Sequence, residues 1–247
     1  MNLWQPCAAA CAAVLLTGCS VAVSGRAVTI SPLPEPPHRP VAELLPNDAE
    51  LSTALGSPMR NRYGGRSGGV EVLPNGKADA GPLECLKVQA PAMRYTYEDA
   101  PVRAAIRLTW ATNTDTNYFP TPNFRTTTGI IELDTRASAH TWYSQFSTQW
   151  RQCQGRTVTV HATSKYMIAH EIISVSDTGN RVTSVLLLSG PSSPRPAVVQ
   201  RVLAQEDRYL IDTEVIDIAN DPRRAAPNTQ VAEAIADLIA QKLNNTA

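Results

Sequence analysis

The sequence predicts an α+β domain, an antiparallel β-sheet meander packed with a few α-helices. Residues 157–217 alternate repeatedly between apolar and polar side chains, and short turn signals separate the runs, as in strands joined by hairpins. Amphipathic helical stretches lie before, between and after the β-rich runs, in the order helix, strands, helix, strands, helix. The chain shows no βαβ alternation, no Gly-rich phosphate-binding loop and no internal repeat.

The N-terminal segment is apolar and ends in a cysteine. Residues 7–18 are uncharged, too short to span a bilayer as a helix, and of the length of a signal-peptide core. Because Leu16-Thr17-Gly18-Cys19 resembles a bacterial lipobox, we expect removal of residues 1–18 and lipidation of Cys19. Two or more acyl chains would then anchor the protein on the extracytoplasmic face of the cell membrane. Residues 1–6 lack Lys and Arg, and the alternative is a cysteine that merely ends an ordinary export signal.

A proline-rich segment follows the cysteine. Pro32, Pro34, Pro36, Pro37 and Pro40 fall within nine residues. Prolines at this density favour extended polyproline II structure, at about 3.1 Å per residue. We interpret residues 19–43 as a tether and residues 44–247 as one domain. An N-terminal strand is the alternative, but proline cannot donate to a β-ladder.

The domain opens with a short predicted helix. Asn47 and Glu50 have the spacing of a capping box, and Gly56 is a typical helix stop. One helical face carries Leu51, Ala54 and Leu55. Residues 60–81 contain six of the thirteen glycines and predict a flexible loop.

Two β-rich runs and a long helix form the middle of the domain. Residues 104–110 and 126–133 predict strands, and Asp134 is a suitable N-cap for the next segment. Apolar residues then recur at steps of three and four, which predicts an amphipathic helix that stops at Gly155. The stripe consists of Ala139, Trp142, Tyr143, Phe146, Trp150 and Cys153.

The C-terminal part reads as a meander followed by a helix. Turn signals at residues 177–180 and 206–207 separate its strands. Asn228 or Thr229 is the expected N-cap of the final helix. The apolar face of that helix carries Val231, Ile235, Leu238 and Ile239.

The chain contains five cysteines. Cys7 and Cys11 would leave with the signal peptide and Cys19 would carry the lipid, so Cys85 and Cys153 remain, and we predict a disulfide between them. Closing so long a loop contributes about 4 kcal/mol in the chain-entropy model. A Cys/His metal site is the alternative, but the C-x-x-C and H-x-x-x-H spacings are absent, so we expect no metal and no cofactor.

The charge balance argues against nucleic-acid binding. The 22 basic and 22 acidic residues cancel, and residues 1–18 contain neither type. No basic block is longer than Arg223-Arg224, so contacts to a phosphate backbone lack their usual source of affinity. We therefore expect attachment to the membrane through the lipid anchor alone.

No catalytic constellation is visible in the sequence. A G-x-S-x-G motif is absent, and His170-Glu171 begins an H-E-x-x-H pattern whose fifth position is Ser174. The other histidines are His38, His140 and His161. Since a hydrolase needs a nucleophile, a base and an orienting group together, we predict a domain that is not an enzyme.

The few aromatic residues are candidates for a ligand pocket, because such pockets are typically lined by aromatic side chains. We select Tyr95, Tyr97 and Trp110, with burial in a core as the alternative. Arg107, together with Arg103, is a candidate clamp for an anion, with a solvated strand face as the alternative. The helical spacing of Trp142, Phe146 and Trp150 assigns these three residues to the core.

Three stretches resemble one known family. In residues 137–160 a helix ends in Q-W-R-Q-C-Q-G and a strand follows; the others are residues 44–59 and Pro82-Leu83-Glu84-Cys85-Leu86. Together they resemble the PknH-like extracellular sensor domain, found on mycobacterial serine/threonine kinases and on free-standing lipoproteins of the cell envelope. The resemblance covers roughly residues 44–242. It implies a ligand-binding sensor with a central groove, and it matches Cys85 and Cys153 to the family's first disulfide.

The sequence departs from that family in one respect. The family's second disulfide has no counterpart, because residues 199–201 and 215–216 contain no cysteine. The resemblance also names no ligand. We expect a non-catalytic module that binds a small molecule or another envelope ligand or partner; the alternative is a structural or accessory lipoprotein that acts through protein contacts.

Overall fold

A single sheet with helices on both faces forms the described part of the chain. The computed structural model describes residues 39–76, 79–112, 124–163, 166–191, 193–217 and 229–245. Cys19, the predicted signal peptide and most of the predicted tether lie outside these residues. The elements are α1 (Val41–Leu44), α2 (Asp48–Leu55), β1 (Met59–Tyr63), β2 (Asp79–Gly81), α3 (Leu86–Gln89), α4 (Arg94–Tyr97), β3 (Val102–Thr112), β4 (Phe124–Leu133), α5 (Arg136–Gln152), β5 (Thr157–Thr163), β6 (Tyr166–Asp177), β7 (Arg181–Gly190), β8 (Ser193–Glu206), β9 (Tyr209–Asp217) and α6 (Gln230–Asn244).

The strands of the described residues form one antiparallel sheet. Their order is β1-β3-β4-β9-β8-β7-β6-β5-β2. The consecutive positions of β5 to β9 confirm the predicted meander. β9 pairs with β4 on its other side, which brings Asp212 opposite Gly129 and Glu214 opposite Thr127. On β8, Arg201 lies opposite Glu214.

Each face of the sheet has its own apolar core, because side chains alternate between the faces. One face, here called the α5 face, packs against α5 and the segment that contains α3 and α4; the α6 face packs against α1, α2 and α6. The core of the α5 face includes Val158, Ile172, Leu186, Val199, Leu203 and Leu210. The core of the α6 face includes Ile106, Ile130, Val202, Ile211 and Val215.

Helix α2 begins with the capping box that the sequence predicts. Asn47 Oδ1 accepts hydrogen bonds from Ala49 N and Glu50 N, both at 2.9 Å, and Asn47 N donates to Glu50 Oε2 at 2.7 Å. Gly56 takes the left-handed conformation at φ 61°. The predicted apolar face is wrong at Ala54, which is exposed, so only Leu51 and Leu55 are buried.

Helix α5 carries the predicted stripe with two differences. Its N-cap is Thr135 and not Asp134, and the Thr135 hydroxyl accepts a hydrogen bond from Ser138 N at 3.0 Å. Trp142 is half-buried at the edge of the stripe, whereas Ala139, Tyr143, Phe146, Trp150 and Cys153 are buried. Gly155 follows the helix at φ 77°, a conformation that favours glycine.

The cap of α6 differs from the prediction. Thr229 is the N-cap residue, but its side chain makes no capping hydrogen bond, and Asn228 lies outside the described residues. Gln200 of β8 supplies the capping hydrogen bonds instead. The Gln200 Oε1 atom accepts from Val231 N at 3.1 Å and from Ala232 N at 3.2 Å. On the apolar face Ile235 and Ile239 are buried, and Val231 and Leu238 are half-buried.

Two loop predictions are corrected. Residues 60–81 contain most of strand β1, a 3₁₀ turn at Val70–Val72 and strand β2, because the neighbouring strands supply hydrogen-bond partners that the local sequence does not reveal. Helix α1 begins inside the segment assigned to the tether, since Val41 and Leu44 are buried against the α6 face.

The predicted disulfide between Cys85 and Cys153 is confirmed. The two Cα atoms are 5.6 Å apart, and the bridge joins residues that are 68 positions apart in sequence. Cys85 directly precedes α3 and Cys153 directly follows α5. The bridge therefore fixes the beginning of residues 86–97, here called the cover segment, to the end of α5.

The cover segment approaches the sheet most closely at a glycine. Ala92, at φ 47°, lies over Gly129 of β4, and a Cβ atom added to Gly129 would stand 2.1 Å from Ala92 Cβ. Arg107 Nε on the adjacent strand donates to Pro91 O at 3.0 Å. The absence of a side chain at Gly129 is what allows the turn at residues 91–92 to rest on the sheet.

We predict that Gly129→Ala destabilises the domain by about 1–3 kcal/mol, because the added methyl group must push the cover segment off the sheet. Urea unfolding followed by circular dichroism measures the effect. Gly64→Ala is the control, since a Cβ there meets nothing within 4 Å. Equal midpoints for wild type and Gly129→Ala would contradict the close approach.

Candidate ligand site

A buried arginine joins the cover segment to the sheet. Arg201 of β8 is fully buried, and its Nε donates to Val88 O at 2.9 Å. One terminal nitrogen donates to Thr213 O at 3.0 Å and the other lies 2.9 Å from Asp212 Oδ1. The guanidinium carbon stands 5.1 Å from the centre of the Trp150 ring, a cation–π contact. Sheet, cover segment and α5 thus meet at one side chain.

The second oxygen of Asp212 binds the cover segment directly. Asp212 Oδ2 accepts hydrogen bonds from Ala92 N and from the Tyr97 hydroxyl, both at 2.8 Å. Burial raises the pKa of Tyr97 well above its usual value, and the Asp212 charge adds to that effect. Tyr97 therefore remains a protonated donor. The two atoms that face each other across the ion pair form no hydrogen bond within the described structure, so the bonds to Val88, Thr213, Ala92 and Tyr97 are what offsets the desolvation of the pair.

Glu214 lies next to this ion pair but, unlike Arg201 and Asp212, has no ion-pair partner among the described residues. Its residue surface is only 7 % exposed, yet within the described part of the chain its carboxylate makes no hydrogen bond and no ion pair within 4 Å. Burial raises the pKa of Glu214, and the charges of Arg201, Arg125 and Arg107 oppose that rise. The Glu214 oxygens are not among the described side-chain atoms that are both fully buried and without a partner, so the carboxylate keeps contact with solvent through its small exposed surface.

Two arginines flank Glu214 on the same face. Arg107 on β3 is half-buried and uses only its Nε, toward Pro91 O. Arg125 on β4 is exposed, with no hydrogen bond or ion pair to the described residues. Thr127, between Arg125 and Gly129 along β4, shares a 3.0 Å hydrogen bond with Thr109 beside Glu214.

The last member of the cluster is a histidine on β6. His170 of β6 is 5 % exposed; its Nε2 lies 3.4 Å from Gln89 Nε2, and its Nδ1 is buried without a partner in the described structure. Burial, with the charges of Arg125 and Arg201, lowers the pKa of His170 to about 4. His170 is therefore neutral at pH 7. We call six residues the α5-face cluster: Arg107, Arg125, His170, Arg201, Asp212 and Glu214.

The candidate residues from the sequence do not all meet at this cluster. Tyr95 and Tyr97 lie in the cover segment; the Tyr95 hydroxyl donates to Leu86 O at 3.2 Å, and burial raises the pKa of Tyr95 to about 12. Arg107 belongs to the cluster. Trp110 is 1 % exposed in the core of the α6 face, so it lies on the opposite side of the sheet. Ligand contact by these four residues stays a prediction.

Sequence reasoning missed most of the cluster. Asp212 and Glu214 fall between Leu210 and Ile216 at steps of two residues, so the period of two places all four on the same buried face. Charged residues at inward positions of a buried strand are rare unless they are paired, so their presence in this strand was the sequence signal for a buried polar cluster. The partner of Asp212 depends on the pairing of β8 with β9, which the local sequence does not specify. Arg103, the other predicted anion contact, is exposed.

The described residues offer no place for a metal. Within them no group of three or more His, Cys, Asp or Glu side chains is arranged to hold a metal ion. Among the helices of the described residues, none is both long enough and apolar enough to cross a membrane.

Comparison with known proteins identifies the domain. The sequence matches the PknH-like extracellular domain family over residues 36–242. The chain belongs to the PknH-like extracellular domain family. Its fold is similar to the crystal structure of the extracellular domain of PknH from Mycobacterium tuberculosis, with a TM-score of 0.66 and 17% identity over 83% of this chain and 95% of that chain. This similarity confirms the predicted fold class.

Other comparisons add little to this assignment. An X-ray structure of an uncharacterised protein from Mycobacterium smegmatis matches with a TM-score of 0.37 and 10% identity, over 83% of this chain and 96% of that chain. No curated protein sequence matches the chain. The PknH-like assignment places the domain outside the cytoplasm, as the sequence predicted.

We predict that His170 makes the domain sensitive to acid. Its pKa falls from 6.5 in the unfolded chain to about 4 in the fold, so its contribution to stability is complete above pH 6.5 and is lost as the pH falls toward 4. The full loss amounts to about 3 kcal/mol. His170→Leu, which cannot bind a proton, should lose correspondingly less stability over that range in urea unfolding.

The exposed His140 on α5 provides the control, because His140→Leu removes a histidine that is not buried. Identical pH profiles for wild type and His170→Leu would show that His170 does not resist protonation in the folded state.

Proposed function

We propose that the chain is a cell-envelope lipoprotein whose non-catalytic PknH-like domain binds a ligand at the α5-face cluster. The observation that carries the proposal is Glu214, a carboxylate that keeps only a small contact with solvent and has no partner among the described side chains, beside two arginines whose terminal nitrogens have none there either. A ligand that pairs with these charged groups would form charge-assisted hydrogen bonds, which are stronger than those between neutral groups. We infer that the central groove implied by the family resemblance lies at this cluster.

The chemistry of the cluster favours binding over catalysis. His170 has a pKa of about 4, so it is a poor general base near neutral pH, and Gln89 is its neighbour at Nε2. Arg201 and Asp212 form an ion pair and are further bonded to the backbone and to Tyr97. No nucleophile, base and orienting group converge among the described side chains of the cluster.

The anchoring part of the proposal rests on the sequence. Cys19 follows a lipobox-like Leu16-Thr17-Gly18, and the proline-rich segment after it is suited to hold the domain away from a membrane. A domain of an extracellular family requires export, which agrees with a signal peptide. The protein would then lie on the extracytoplasmic face of the membrane, attached by its lipid.

We predict that Cys19→Ala moves the protein from membrane to soluble fractions, because the acceptor of the lipid is lost. Fractionation of cells followed by immunoblotting measures this. Cys11→Ala should leave the protein with the membranes, since Cys11 lies inside the predicted signal peptide. If Cys19→Ala sediments with membranes as the wild type does, the anchor assignment is wrong.

We predict that the full chain, extracted from its native envelope in a non-ionic detergent, carries a ligand at the cluster. Native mass spectrometry should detect an added mass that denaturation removes. Thr109→Trp should reduce its occupancy at least about tenfold, because the indole would fill the space beside Thr127 and Glu214 whatever the charge of the ligand.

Thr183→Trp is the matched control, since Thr183 is also half-buried and lies on another strand, beside Val202 of the α6 face. No added mass in any preparation, or a mass that Thr109→Trp leaves in place, would contradict a ligand site at the cluster.

One observation favours the alternative of an accessory lipoprotein that works through protein contacts. An open concavity of about 390 Å³ is lined by Met167, Ala169, Ser189, Gly190 and Pro191, and Met167 is 50% exposed. Exposed apolar surface of this kind is typical of protein contacts. Met167→Glu would disrupt such a contact and leave the α5-face cluster unchanged.

A further inference from the structure

The charges of the cluster distinguish one class of ligand from others. Arg201 is fully buried, donates to Val88 O and Thr213 O, and turns its other terminal nitrogen toward Asp212, so this guanidinium is not accessible to a ligand. Among the described residues, the terminal nitrogens of Arg107 and Arg125 have no hydrogen-bond or ion-pair partner. With Glu214 ionised, these three groups carry one net positive charge; with Glu214 protonated, they carry two.

The strand register brings the two arginines to either end of one short row. Arg107 pairs with Gly129, and Arg125 lies four residues before Gly129 on the same face of β4. Four residues along a strand span about 13–14 Å. Thr127 and its neighbour Glu214 lie midway. The two arginines therefore start on either side of Glu214, and the charges of both act on its carboxylate.

We propose that the α5-face cluster binds its ligand through an oxyanion group, a phosphate, sulfate or carboxylate, held by Arg107 and Arg125, while Glu214 faces a hydrogen-bond donor of the same ligand. This inference rests on the proposed function and names the class of ligand for that site. The guanidinium fork matches the geometry of a phosphate or carboxylate and binds it through paired, charge-assisted hydrogen bonds.

Glu214 sets the selectivity within this class. An oxyanion without a donor group would meet the Glu214 carboxylate without pairing with it, so repulsion between the two negative charges would weaken its binding. A ligand that also carries a hydroxyl or ammonium group would supply the partner that the Glu214 carboxylate lacks. The site should therefore bind an anion that carries an adjacent hydrogen-bond donor more tightly than an anion that lacks one.

Two sources supply such a group, a free metabolite or the headgroup of an anionic phospholipid. The predicted tether places the domain beside a membrane, so both are within reach. The shared chemistry is the oxyanion, and the two sources separate experimentally because only one of them requires a lipid.

The test uses the full chain in non-ionic detergent and follows thermal unfolding. Inorganic phosphate should raise the melting temperature above that in sodium chloride of equal ionic strength, because it binds the folded state. Arg125→Gln should raise the apparent dissociation constant of phosphate about tenfold, since it removes a charge-assisted contact from an exposed residue. Glu214→Gln should lower that constant, since it removes the opposing charge.

Arg136→Gln is the matched control, because Arg136 is also exposed but begins α5 and pairs with Asp207. In a second arm, mixed micelles containing phosphatidylglycerol are compared with micelles containing phosphatidylcholine. If phosphatidylglycerol alone shifts the melting temperature and Arg125→Gln abolishes that shift, the ligand is a lipid headgroup. If free phosphate shifts the melting temperature and Arg125→Gln weakens that shift, the ligand is a soluble oxyanion. Either result supports the inference.

The inference is overturned if neither phosphate nor phosphatidylglycerol shifts unfolding, or if Arg125→Gln leaves the shift unchanged. That failure is distinct from failure of the proposed function. A native ligand that Thr109→Trp displaces but Arg125→Gln retains would leave ligand binding intact and exclude an oxyanion as its point of attachment.

Discussion

The buried ion pair between Arg201 and Asp212 is the interaction on which the arrangement of the α5 face depends. It joins β8 to β9, and each partner also reaches the cover segment, through Val88 for Arg201 and through Ala92 and Tyr97 for Asp212. An ion pair deep in a protein is tolerated only when its remaining hydrogen bonds are satisfied, and removing one partner typically costs about 3–5 kcal/mol. The pair therefore specifies one position for the cover segment on the sheet.

Two attachments of different kinds hold that segment. The disulfide at Cys85 fixes its beginning to α5, and the ion pair fixes its middle and end to the strands. Once the segment is in place, Pro91 O accepts from Arg107 and orients that side chain along the sheet. The site thus depends on residues that would not contact a ligand. Arg201 lies in one of the two stretches where the family's second disulfide would be expected, so in this chain the buried ion pair joins that stretch to β9.

Much of the fold was predictable because its signals are local. The stripe on α5, the capping box at Asn47 and the alternation between residues 157 and 217 each depend on neighbours within a few positions. The candidate site was not predictable in the same way. The short helices α3 and α4 carry no periodicity, and Trp110 could not be assigned to a face until the register of β3 was known. Asp212 and Arg201 become partners only through strand pairing.

The most direct test of the central claim is amide hydrogen exchange across the cover segment after the ion pair is broken. In Asp212→Asn, which keeps the size of the side chain and removes its charge, exchange in residues 86–97 should accelerate at least about tenfold. Exchange in residues 231–239 of α6, on the other face, should remain at the wild-type rate. Unchanged exchange in residues 86–97, or an equal acceleration throughout the domain, would contradict the claim that this pair holds the cover segment.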